Sequence, residues 1–106
     1  MKKYTVRLTP RAVESINQII DDLYDSASAN YAAKVEQAII DTIDGLQTMP
    51  NIHQKALELK RGKSKYRRAL VLDYKIVYTV NDDVLEVVVV QAYNQSRGQE
   101  WIDENV

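Results

Sequence analysis

Residues 66–92 read YRRALVLDYKIVYTVNDDVLEVVVVQA, and this stretch decides the fold. Tyr66–Leu72, Tyr74–Val80 and Val84–Ala92 are rich in Tyr, Val, Ile and Leu and are interrupted only by Asp73 and by Asn81-Asp82-Asp83. Such residues suit a pleated, half-buried surface, and turns this short join neighbouring strands antiparallel. The last run is almost continuously apolar, which predicts a central strand covered on both faces. On the middle strand Tyr74, Ile76, Tyr78 and Val80 share one face, leaving Lys75, Val77 and Thr79 on the other.

Upstream, residues 2–9 alternate, with Tyr4, Val6 and Leu8 against Lys3, Thr5 and Arg7, which predicts a further strand. Thr9-Pro10 is a helix start, because a Thr oxygen caps an orphan amide and Pro at the first helical position has no amide to lose. Ala12, Val13, Ile16, Ile19, Ile20, Leu23 and Tyr24 then form one apolar stripe. After a break at residues 26–30, Ala32, Val35, Ile39, Thr42, Ile43, Leu46 and Met49 repeat the helical spacing, and Pro50 ends that helix near Thr48. Helices so closely connected lie antiparallel. The expected class is α+β, ordered β-α-α-β-β-β, with the helical hairpin on one face of a mainly antiparallel four-stranded sheet and residues 1–106 as one domain. The opposite face, carrying Lys3, Thr5, Arg7, Lys75 and one of Arg67 and Arg68, is expected to be an exposed basic surface. Asn51–Lys65 has no period and reads as a surface loop or short helix.

The 106 residues include no Cys, two Pro and three Gly, with no apolar run long enough for a membrane span. MKKYTVRL lacks the apolar core of a secretory signal, so a cytoplasmic protein is expected. The net charge of −1 hides a strong asymmetry. Residues 55–75 hold eight basic residues against two acidic ones, a local +6, while the remainder carries −7. A basic face with tyrosines nearby suits phosphates, unpaired bases or an acidic protein. Tyr66 and Tyr93 are the tyrosines left for such contacts, since Tyr4, Tyr74 and Tyr78 fall on the inward face. His53, the single histidine, reads as a surface residue rather than a general acid. Cysteine and histidine content gives no metal site, no glycine loop cradles phosphate, and no serine has a partnered base, so no cofactor is expected.

Several short segments carry a family likeness: Tyr4-Thr-Val-Arg-Leu-Thr-Pro-Arg-Ala, an Ala-rich second helix ending Leu46-Gln-Thr-Met-Pro50, then Tyr66-Arg-Arg, Asp73-Tyr-Lys-Ile-Val-Tyr78 and Arg97. In these the chain resembles the RelE/ParE toxins of type II toxin-antitoxin modules, also called plasmid stabilisation proteins. The resemblance implies the same β-α-α-β-β-β domain with a twisted sheet. It also implies a cognate antitoxin whose flexible segment wraps the toxin, with acidic residues suited to Lys60–Arg68.

Two branches follow from the resemblance. RelE-like members cleave messenger RNA in the ribosomal A site, whereas ParE-like members poison DNA gyrase and need no ribonuclease site. In the cleaving branch basic side chains stabilise the scissile phosphate, and a basic or tyrosine side chain near the C-terminus moves protons. Lys75 stands where those enzymes usually carry Arg, offering a point charge instead of a bidentate fork. Arg97 matches a C-terminal Arg. Asn94 stands where a His is common, and Trp101 is the sole aromatic residue after Arg97, which leaves Tyr93 as the substitute acid or base. The catalytic candidates are thus Lys75, Arg97 and Tyr93, and the target-binding candidates are Arg7, Lys60, Arg61, Lys63, Lys65, Arg67 and Arg68. The departures from the cleaving pattern and the long helical hairpin put gyrase inhibition first. Ribosome-dependent messenger RNA cleavage is the alternative, and an inactive relative that only binds an antitoxin is the third reading.

Overall fold

Thr9 sets the first helix as its sequence predicts. Its hydroxyl accepts from the Ala12 amide at 3.1 Å, and Pro10 opens α1 (Pro10–Ser26). The computed structural model describes residues 3–53 and 66–106, and the chain continues from β1 (Thr5–Leu8) and α1 into α2 (Ala29–Gly45). Ser28 caps α2, its side chain accepting from the Tyr31 amide at 3.1 Å. Then come β2 (Arg67–Val71), β3 (Tyr74–Asn81), β4 (Glu86–Asn94) and a short α3 (Gln99–Asn105). The sheet order is β1-β4-β3-β2, with β1 parallel to β4 and the other pairs antiparallel. The α+β layout is therefore the expected one, with β4 central and one helix added.

The helical hairpin and the inner sheet face enclose the main core. Ala12 and Ile16 from α1 and Val35 and Ile39 from α2 meet Ile76, Tyr78, Val87 and Val89, all buried. The stripe is narrower than its sequence suggests, because Val13, Tyr24 and Met49 remain exposed. Tyr24 instead reaches across the hairpin, its hydroxyl donating to Glu36 at 3.2 Å. The regular part of α2 ends at Gly45, not near Thr48. Leu46, Gln47 and Thr48 donate three residues back, which tightens the last turn and satisfies orphan carbonyls before Pro50.

Two departures re-aim the strands. Leu72 and Leu85 have φ of 54° and 52°, so each turn places a leucine in the left-handed region, and β4 begins at Glu86 rather than Val84. In β4 the register against β3 jumps from Gln91 to Val89, leaving Val90 as the extra residue of a bulge. Beyond the bulge the inside–outside alternation is reversed. Ala92 faces the helices beside Ile76, and Tyr93 lies on the outer face opposite Lys75.

That outer face is not the open basic surface expected from alternation. Val77, Tyr93 and Ile102 form a second buried cluster, packed by Tyr66, Val90, Trp101 and Val106, because α3 lies across it. The Asn105 carbonyl ties the far end of α3 down, accepting from Gln91 Nε2 at 2.9 Å and from Arg11 Nη1 at 3.1 Å.

The Leu72 turn gives a direct test of local strain. A non-glycine residue in the left-handed region costs about 1–2 kcal/mol, and Asn tolerates it better than Leu. Leu72 is 45% exposed, so little packing is lost on substitution. Leu72→Asn should raise stability by roughly 0.5–1 kcal/mol in a denaturant titration. A midpoint at or below that of the wild type would mean that packing, not turn geometry, governs this position.

Candidate functional site

The outer face gathers the sequence candidates unevenly. Lys75 on β3 and Tyr93 on β4 are direct cross-strand partners, so their side chains stand on one face as neighbours. Lys75 is half-buried, whereas Tyr93 is only 2% exposed. The Trp101 ring lies 5.4 Å from the Tyr93 ring at a 51° tilt, and the Arg97 guanidinium sits 4.7 Å from the centre of Trp101 on a cation–π contact. The three catalytic candidates therefore converge, but through an indole that covers the tyrosine. Trp101 and α3 are the residues that sequence reasoning missed as part of this site. The signal was faint: Gly98 as a cap, Glu100 in the first turn, and Ile102 four residues before Val106, the residue that caps the seven-residue helix.

Between α1 and the end of β4 a cleft of about 370 Å³ opens beside this stack. Glu14, Gln18 and Asp22 line its helical side, Gln18 donating to Asp22 at 2.8 Å, and Tyr93, Arg97 and Trp101 line the other. Carboxylates thus face the stacked guanidinium across the opening.

The target-binding candidates are dispersed. Arg7 pairs with Glu86 at 3.6 Å on the surface, a contact worth about 0–1 kcal/mol. Arg68 is half-buried on the outer face, placed by its pairing with Val77. Arg67 points elsewhere, donating from Nη1 to the His53 carbonyl at 2.7 Å. Lys60, Arg61, Lys63 and Lys65 lie outside the described residues. Among the described residues no helix is long and apolar enough to cross a membrane.

Arg67 belongs to a structural clasp at the exit of α2. Its cross-strand neighbour Tyr78 is fully buried and donates its hydroxyl to the Pro50 carbonyl at 2.6 Å. Burial pushes the Tyr78 phenol up to about 12, so it stays a donor at any physiological pH. His53 stands edge-on to Tyr78, ring centres 6.1 Å apart. Burial, and then the nearby Arg67 charge, lower its pKa. His53 is therefore a packed anchor rather than a freely exposed side chain.

The family described as "ParE toxin of type II toxin-antitoxin system, parDE" matches residues 6–96. No curated protein matches the chain. Among solved structures, the chromosomal ParDE system of P. aeruginosa aligns with a TM-score of 0.68 at 15% identity, covering 87% of this chain and 96% of that one. The RelBE2 toxin-antitoxin complex of Mycobacterium tuberculosis aligns with a TM-score of 0.64 at 20% identity, covering 92% and 97%. A free RelE mutant of E. coli aligns at 0.60 with 15% identity, covering 93% and 90%. At these identities the structural likeness speaks for the fold.

Two measurements probe the site. Trp101→Ala removes the cover of Tyr93 and should cost about 1–3 kcal/mol, below the full core value because Trp101 is only half-buried, whereas Arg97→Ala should cost no more than about 1 kcal/mol. Equal losses in urea titrations would contradict this division between packing and stacking. His53, with its folded pKa below the ordinary 6.5, contributes stability that is complete above that value and is lost as pH falls through the folded pKa. Denaturation midpoints taken from about pH 7.5 down to about pH 5.5 should fall less steeply in His53→Gln than in the wild type. Identical slopes would remove His53 from the pH dependence.

Proposed function

Because the chain belongs to the ParE toxin family and is a type II toxin of the ParE/RelE superfamily, we propose that it acts by ParE-like inhibition of DNA gyrase and is neutralised by a cognate antitoxin. The observation that carries the gyrase reading is the burial of Tyr93. Cleaving RNA requires a proton-transfer group at the substrate, within hydrogen-bond reach of the reacting oxygen. The side chain best suited to that role is 2% exposed beneath Trp101, and Arg97 is engaged on the same indole. Lys75 and Arg97 then act as cations toward carboxylates on a protein rather than as stabilisers of a cleaved phosphate.

Antitoxin binding is supported by the family and by the M. tuberculosis relative, which was solved as a toxin-antitoxin complex. Lys60, Arg61, Lys63, Lys65 and Arg68 meet acidic residues of that partner, while Arg67 is held in the clasp with His53. The site of action is the cytoplasm, where the target resides. The RelE-like alternative draws on the shared face of Lys75 and Tyr93, with Arg97 close by through Trp101.

Induction without antitoxin, followed by pulse-labelling of DNA and protein in one culture, separates these readings. Gyrase inhibition stops DNA synthesis first and triggers a DNA-damage response. Protein synthesis failing first would overturn it in favour of ribosome-dependent messenger RNA cleavage. Uninhibited growth with abundant folded protein would overturn both and leave an antitoxin-binding relative.

A further inference from the structure

β2 is an edge strand whose Ala69 and Val71 are buried against the helices, so Leu70 between them stands on the outer face, where it is 55% exposed. Leu72, 45% exposed, follows two residues later in the turn after β2. An uncovered leucine pair on a sheet edge invites association and is normally avoided. The helix α3 does not cover it, since the cluster under α3 extends over Val77, Tyr93 and Tyr66 but omits Leu70. Leu70 pairs with Lys75, and Lys75 pairs with Tyr93, so these three form one row across β2, β3 and β4. With strands about 4.8 Å apart, Leu70 and Lys75 stand side by side, and the row closes where Trp101 covers Tyr93. Its far end is bounded by Trp101 with Arg97 on top.

Building on the gyrase reading, we propose that this strip, from Leu70 through Lys75 to Arg97, is the docking surface for the target protein, and that it receives an apolar side chain flanked by carboxylates. The charge and the leucines together fix the chemistry of the occupant. Carboxylates complement Lys75 and Arg97, while Leu70 and Leu72 contribute only if an apolar group desolvates them. A nucleic-acid backbone would satisfy the cations and leave both leucines in water.

The test is binding of purified gyrase to immobilised toxin, comparing wild type, Leu70→Glu, the milder Leu70→Gln and Lys75→Glu. Val84→Glu is the control, a 66%-exposed apolar position in the turn at the opposite end of the β3–β4 hairpin. Thermal melts confirm that each variant is folded. Leu70→Glu and Lys75→Glu are expected to weaken binding at least tenfold, Leu70→Gln by a smaller factor, and Val84→Glu not at all. Folded Leu70 variants that bind as tightly as the wild type would overturn the strip while leaving gyrase as target. Equal loss in Val84→Glu would likewise overturn it, as a nonspecific effect of added charge. A wild type that fails to bind gyrase would overturn the functional reading itself, and the strip with it.

Discussion

β4 has two apolar faces, and the rest of the molecule is arranged around covering both. Val87, Val89 and Ala92 face the helical hairpin, while Val90 and Tyr93 face the other way. The hairpin supplies one stripe per helix and can cover one side only. Leaving the second side in water would expose Val77 and Tyr93 along the middle of the sheet, at a cost of about 1.5–3 kcal/mol per large side chain. The seven residues of α3 prevent this, and Gln91 and Arg11 hold their end in place through the Asn105 carbonyl.

The bulge in β4 and the start of α1 are one local solution. The Thr9 amide donates to the Val89 carbonyl at 3.0 Å, and the Thr9 hydroxyl that caps α1 also donates to the Val90 carbonyl at 3.3 Å. The extra residue of the bulge thus has its carbonyl satisfied by the helix cap, so the helix entry and the reversal of alternation occur at the same point. Without the reversal Tyr93 would belong to the face turned toward the helices. With it, Tyr93 joins Lys75 on the outer face, and the site takes its shape from one inserted residue.

This explains what could be read in the chain and what could not. Thr9-Pro10, the helical stripes and the strand-turn-strand run of residues 66–92 each carry a local signal, through capping, periodicity or turn chemistry, and the element order follows from them. The bulge leaves no such mark, because in a stretch of four consecutive valines both faces accept the same residues and alternation is silent about register. The helix α3 is too short to show a period, and its stability comes from the tertiary contact of Ile102 and Trp101, not from propensity. The candidate site was legible as residue types, Lys75, Tyr93 and Arg97, but the covering of Tyr93 by Trp101 depends on both hidden features.

The functional account turns on that covering. A toxin with Tyr93 sealed beneath an indole presents cations and leucines to its surroundings rather than an acid or base, which suits recognition of a protein surface. Tyrosine nitration of the native protein, with the modified residues located by mass spectrometry over time, tests this most directly. Tyr24, 45% exposed on α1, should be modified while Tyr93 stays protected alongside the fully buried Tyr78 until the protein unfolds. Nitration of Tyr93 in the folded protein at the rate of Tyr24 would show the ring open to solvent and contradict the account.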